Sequence, residues 1–92
     1  VTYSVIKHGM VGLTKYFASL YGEKKVRVNM VSPGPVKNKQ KKKLLKQIEN
    51  LTPFGRLGNP KDLFELLFFL ASENSSYVTG QNIIVDGGKT SI

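Results

Sequence analysis

Residues 26–36 read VRVNMVSPGPV, and residues 82–88 read NIIVDGG. The first opens on β-branched residues and predicts a strand over 26–31. The SPGP that follows ends it, since proline lacks the N–H a ladder needs and glycine permits a sharp turn. The second predicts a strand over 82–86, closed by Gly87 and Gly88. Between them, TPFGRLGNP at 52–60 is turn chemistry. Asn59 offers an N-cap, Pro60 suits the first helical position and Asp62 favours a helix N-terminus. A helix is therefore expected over 60–73. It carries Leu63, Phe64, Leu66, Leu67, Phe68, Phe69 and Leu70, so it is apolar most of the way round and expected to be buried on two sides. A strand, a crossover containing a helix, and a second strand form a right-handed βαβ unit. The fold class that follows is α/β.

Upstream, residues 3–21 predict a further helix. Ile6, Met10, Leu13, Phe17 and Leu20 or Tyr21 follow the i, i+3, i+4, i+7 rule, and Val5, Val11 and Ala18 widen the stripe. Gly22 is expected to stop it, with Lys24 and Lys25 at its negative end. A glycine inside a helix costs about 1 kcal/mol, so Gly9 and Gly12 are expected to permit close approach of another helix. Residues 39–50 predict a lysine-rich helix whose only apolar ridge is Leu44, Leu45, Ile48 and Leu51. NSSYVTG at 74–80 reads as a loop. The chain contains no internal repeat and no linker.

Ninety-two residues make one domain at most. A body this small buries roughly 60–65% of its unfolded surface, so the core must be thin. Two strands are also too few for an independent parallel sheet, which needs helices on both faces. The first helix has no N-cap ahead of it. The chain is thus expected to be the C-terminal part of a larger fold, incomplete as a stand-alone one. It has no cysteine, which excludes disulfide scaffolds, thiolate zinc sites and cysteine nucleophiles, and is compatible with a cytoplasmic location. The longest apolar run, Leu66 to Ala71, is too short to cross a bilayer, and no signal-peptide pattern precedes the first helix. A soluble protein is expected, without membrane attachment.

The net charge is +8, from 14 basic and 6 acidic residues, but the excess is local. Lys37, Lys39, Lys41, Lys42, Lys43 and Lys46 crowd into one segment, and the remainder is nearly balanced.

TYSVIKHG at 2–9 places Tyr3 and Lys7 four residues apart, on one face of the first helix. An ammonium held there lowers the pKa of a phenol that ordinarily titrates near 10, and offers three donors to hydroxyls of a bound partner. Such a tyrosine can give a proton to a carbonyl oxygen as hydride reaches the carbon, or take one in reverse. The spacing alone is equally that of a solvated pair.

The ordered set YSVIKHGMVGLTKYFASLYGEKKVRVNMVSPGPV, PFGRLGNPKDL and FLASENSSYVTGQNIIVDGG resembles the C-terminal portion of the short-chain dehydrogenases/reductases, from about Thr2 to Gly88. That resemblance implies the last part of a Rossmann-type, doubly wound parallel sheet. It implies an NAD- or NADP-dependent oxidoreductase that interconverts an alcohol and a carbonyl. In the family's pattern Tyr3 is the proton donor or acceptor, and Lys7 binds the nicotinamide ribose and lowers the tyrosine pKa. Pro33 and Gly34 match the turn that passes along the nicotinamide, and Val36 stands where backbone meets the carboxamide. Asn38 replaces the threonine often found there, and Ile6 replaces a common serine. The family's glycine-rich phosphate turn, catalytic serine and asparagine have no counterpart in these residues, so this length by itself is expected to be inactive. Asp86, Gly87 and Gly88 match the closing turn, a structural feature. The family's contacts through the two long helices imply a dimer or tetramer. Asn38 and Gln40, with YSVIKHG and GLTKY, resemble a subgroup of bacterial surface-sugar and flagellin-modification enzymes, which implies a sugar or nucleotide-sugar substrate.

The lysine run has three readings: a solvated loop, an attractor for a phosphorylated or carboxylated substrate, and a nucleic-acid patch. No aromatic is interleaved with the lysines, and no nucleic-acid recognition motif is present. His8 stands without the partners a metal site needs; no metal site is expected. Phe64, Phe68 and Phe69 read as core and subunit interface. Two further function classes stay open beside the enzyme: a non-catalytic oligomerisation or regulatory module on the same scaffold, and a basic nucleic-acid-binding domain.

Overall fold

The computed structural model describes residues 1–36, 46–47 and 52–91. Helix α1 spans Thr2–Tyr21, strand β1 Met30–Pro33, helix α2 Pro60–Ala71 and strand β2 Asn82–Val85. The strands pair as a two-stranded sheet. Met30 N–H donates to Gln81 C=O at 2.8 Å and Gly34 N–H to Val85 C=O at 2.8 Å. Both bonds span the same sequence offset, so the strands run parallel. Helix, strand, helix and strand thus occur in the expected order. The helix expected over 39–50 lies outside the described residues except for Lys46 and Gln47, which are helical and exposed.

The chain divides into two compact units, residues 1–31 with 69–83, and residues 32–68 with 84–92. In the first, α1 continues past Gly22, which keeps right-handed helical angles, into a 3₁₀ turn Gly22–Lys24. Lys25, not Gly22, adopts the left-handed conformation (φ 60°) and returns its N–H to Gly22 C=O. The stop is made by a cap one turn later than expected, with lysine in a place glycine usually takes.

The expected strand over 26–31 begins only at Met30. Ahead of it side chains replace the ladder. Val28 N–H donates to Thr79 Oγ1 at 3.0 Å, Asn29 Nδ2 to Val78 C=O at 2.9 Å, and Gln81 N–H to Asn29 Oδ1 at 3.1 Å. Strand propensity cannot reveal this, because Gly80 (φ +72°) turns the facing segment out of extended geometry. At its other end β1 runs through Pro33, two residues further than expected. Proline is tolerated at a strand's end, where its missing N–H costs no ladder bond.

Among the described residues the buried apolar side chains are Ala18 and Leu57, a thin core as the length predicts. The expectation that α2 is buried on two sides fails: none of its side chains is buried, and Phe68 is 73% exposed. A helix apolar all round needs cover from several directions, and the described residues do not supply it. The helix also ends two residues early, at Ala71. Ser72 breaks away into extended angles and caps a 3₁₀ turn Glu73–Ser75 by accepting from Asn74 N–H.

Candidate active site

An α-helix advances about 100° per residue, so Tyr3, Lys7, Val11, Thr14 and Ala18 lie on one stripe of α1. Along that stripe Lys7, Val11 and Thr14 are half-buried and Ala18 is buried. Ile6, Met10, Leu13 and Leu20, which the periodicity assigns to the core, are exposed instead. The amphipathic pattern is broad enough to fit either stripe; packing at Ala18 selects between them. The contact there is with Gly80, where an added Cβ would come within 3.3 Å of Ala18 Cβ. Lys15 Nζ also reaches Gly80 C=O at 3.4 Å.

Tyr3 stands at the open end of the stripe, 75% exposed. Lys7, one turn on, is half-buried. His8 is exposed and donates from Nδ1 to Ser4 C=O at 2.7 Å, which ties it to its own helix. No cluster of potential metal ligands occurs among the described residues. Gly9 and Gly12 have nothing of this chain within reach of a Cβ, so the close approach expected there is not made by the described residues.

Two arginines were not singled out from the sequence. In the first unit Arg27 donates to Leu70 C=O at 2.7 Å, Ser72 C=O at 3.2 Å, and Ser75 C=O and Oγ at 3.1 and 2.6 Å. Its guanidinium satisfies carbonyls left over where α2 ends, and Ser75 beneath it is 1% exposed. No spacing rule links Arg27 to residues more than forty positions away.

The second unit holds the other expected site residues. Pro33 is exposed, and Gly34, Pro35 and Val36 are half-buried. A Cβ on Gly34 would lie 2.6 Å from Asp86 Cβ and 2.8 Å from Asp86 Cα. Glycine is required there because two backbones touch. Pro35 C=O accepts from Gly58 N–H at 2.9 Å, within a parallel bridge that pairs Val36 with Gly58. Asn38 lies outside the described residues, as do Lys37, Lys39 and Lys41–Lys43. Of the sequence-expected site residues, then, Tyr3 and Lys7 share one helix face, while Pro33, Gly34 and Val36 form one turn.

Beside that turn is a recess of about 160 Å³ whose lining includes Phe54, Arg56, Asp62 and Asp86. Arg56 forks onto Asp62, Nη1 to Oδ2 at 2.9 Å and Nη2 to Oδ1 at 3.3 Å. That hydrogen-bonded cation, with Asn59 N–H donating to Oδ2 at 2.7 Å, holds the Asp62 carboxyl below its ordinary range, and Asp62 in turn raises the Arg56 guanidinium. The expected N-cap thus works from the other side: Asp62 reaches back to Asn59 N–H, as in a capping box. Asp86 accepts from Gly88 N–H at 2.9 Å and Thr90 N–H at 3.0 Å. The Thr90 hydroxyl, with these amides, lowers its pKa. Both oxygens serve the closing turn.

A family model described as enoyl-(acyl carrier protein) reductase matches residues 1–90. A cyclohexanol dehydrogenase of Acinetobacter sp. is 40% identical over 94 residues, covering 97% of this chain and 36% of that protein. A crystal structure of a short-chain dehydrogenase from Leptospira borgpetersenii with bound NAD+ superposes with a TM-score of 0.89 at 43% identity, over 96% of this chain and 35% of that one. A 4-hydroxyisoleucine dehydrogenase complexed with NADH gives 0.90 at 31% identity, over 98% and 40%. The chain spans little more than a third of the length of the relatives it matches. With its parallel strands, its helix order and the match over nearly all its residues, the chain belongs to the short-chain dehydrogenase/reductase family.

Proposed function

We propose that the polypeptide carrying this sequence is an NAD(P)-dependent oxidoreductase that interconverts an alcohol and a carbonyl, with these 92 residues as the C-terminal part of one dinucleotide-binding domain. The observation that carries the proposal is the placement of Tyr3 and Lys7 on the stripe of α1 that Ala18 anchors. The Tyr3 hydroxyl gives its proton to the carbonyl oxygen as hydride reaches the carbon, and takes it back in the alcohol-oxidising direction. Lys7 offers ammonium donors to the ribose hydroxyls. The bound dinucleotide supplies or accepts the hydride. Pro33, Gly34, Val36 and Asn38 are the residues that would hold the nicotinamide. The residues fit that role: Gly34 lets the turn lie directly on the Asp86 backbone, which fixes the path of the peptide at Val36.

Relatives complexed with NADH or NAD+ support the cofactor. The proposal extends to an oligomer, favoured by the exposed apolar side chains of α1 and α2. It extends also to an anionic sugar derivative as substrate, favoured by the lysine run and by Asn38 and Gln40. A cytoplasmic site of action accords with the lack of cysteine. No described helix is long and apolar enough to cross a membrane.

In the full-length polypeptide, Tyr3→Phe should lower kcat by at least about 100-fold, the usual contribution of a positioned acid, with dinucleotide binding retained. Turnover near the parental rate in a steady-state assay with NAD or NADP would overturn the assignment.

A further inference from the structure

The Pro33–Val36 turn is held on two sides. Gly34 N–H donates to Val85 C=O, and the Gly34 Cα lies against Asp86. On the other side the contact is Gly58, which gives its N–H to Pro35 C=O and bridges Val36. Gly58 has no side chain with which to fix its own peptide. Its neighbours do that. Arg56 Nη1 donates to Leu57 C=O at 2.9 Å, immediately before Gly58. Asp62 Oδ2 accepts from Asn59 N–H, immediately after it. The same two side chains are joined to each other by the fork described above. Leu57 is buried, and Thr52, also buried, donates from Oγ1 to Arg56 C=O at 3.1 Å. A closed loop of bonds therefore runs from Arg56 through Leu57, Gly58 and Asn59 to Asp62 and back to Arg56.

We infer that the Arg56–Asp62 pair is a positioning device: by clamping the peptides on either side of Gly58, it sets the place of the Pro35–Val36 backbone that meets the nicotinamide carboxamide. The inference rests on the proposed function for the identity of that ligand. Exposed ion pairs contribute little to stability, and Arg56 is 50% and Asp62 34% exposed. Geometry, more than stability, is what a fork of this kind supplies. Neither residue touches the substrate or the reacting atoms in this role, so the effect falls on cofactor binding.

The test is steady-state kinetics of the full-length polypeptide with NAD and NADP, comparing the parent with Asp62→Asn, Arg56→Lys and Tyr3→Phe, each with a thermal melt. Asp62→Asn removes the charge, and Arg56→Lys keeps the charge but loses the planar fork. Each should raise the dinucleotide KM by about 3- to 10-fold, the net worth of one displaced hydrogen bond, with kcat within about twofold of the parent. The melting temperature should hardly move. A dinucleotide KM within about twofold of the parent in both variants overturns the inference, as does a loss of kcat that tracks a lowered melting temperature. If Asp62→Asn fails to fold, Arg56→Lys decides by the same criteria. The Tyr3→Phe arm keeps the two ideas apart. Full turnover by that variant sinks the proposed function, whereas its expected loss beside an unchanged KM in the clamp variants sinks only the positioning role.

Discussion

Arg27 and Arg56 both hold backbone carbonyls, yet they work in different currents of solvent. Arg27 is half-buried and meets only uncharged acceptors, the carbonyls of Leu70, Ser72 and Ser75 and the Ser75 hydroxyl. Arg56 is half-exposed and meets a carboxylate. A cation bonded to neutral acceptors around the buried Ser75 is costly to remove, because water reaches that place less freely than the open surface. A cation paired with a carboxylate at the surface can be replaced by water and salt at little cost. The first unit is therefore braced by a polar plug. The second is braced by direct backbone packing at Gly34, with an ion pair that directs geometry.

The largest effect should come from breaking the plug. Arg27→Met in the full-length polypeptide removes the charged donor shared by the Leu70, Ser72 and Ser75 carbonyls, which keep only the Ser75 hydroxyl and the Ser75 and Val78 N–H groups, and should destabilise by about 1–3 kcal/mol. Urea unfolding read by circular dichroism checks it; an unchanged midpoint would show that water fills the role. Next is Gly34→Ala. The new methyl meets backbone of Asp86, which cannot rotate aside as a side chain would, and the expected loss is about 1–3 kcal/mol. It should be accompanied by a rise in dinucleotide KM, since the displaced turn is the one proposed to bind it.

The smallest effect is electrostatic and separates the two braces by condition instead of mutation. Asp62 and Asp86 both have lowered pKa values in the folded chain. A carboxyl lowered on folding adds stability that is complete above its ordinary, unfolded pKa and is lost as pH falls through the folded value. Acidification below the ordinary carboxylate range should thus lower the urea midpoint, and Asp62→Asn should flatten part of that slope. Arg27→Met should leave the slope as it is, for no acid faces Arg27 among its bonded partners. A titration in which the Arg27 variant also flattens the slope would erase the distinction drawn between the two arginines.

Much of this was legible in the residues. Periodicity located α1, the Asn59–Pro60–Asp62 signal located the start of α2, and the β-branched NIIV run located β2. Tyr3 and Lys7 were brought onto one face by helix geometry alone. Other features were not legible, for identifiable reasons. The stripe of α1 that is covered could not be chosen, because apolar residues occupy most of its circumference and only the contact of Ala18 with Gly80 discriminates. The start of β1 was misplaced because its ladder depends on the facing segment. Arg27 read as an ordinary basic residue, since its acceptors are main-chain atoms that carry no sequence signal. Arg56 read as part of a turn and Asp62 as a residue of the helix start, so nothing in their positions marked them as a pair.

By itself the amino-acid order determined the alternation of helix and strand, the placement of a phenol and an ammonium on one helix face, and a strand end near the SPGP stretch, because these depend on local sterics and on fixed rise per residue. Only the folded chain decided which side of α1 is covered, why position 34 admits no side chain, and which carbonyls the arginines hold. Those outcomes depend on contacts between residues distant along the chain, and no local rule encodes the distance at which two backbones come to rest.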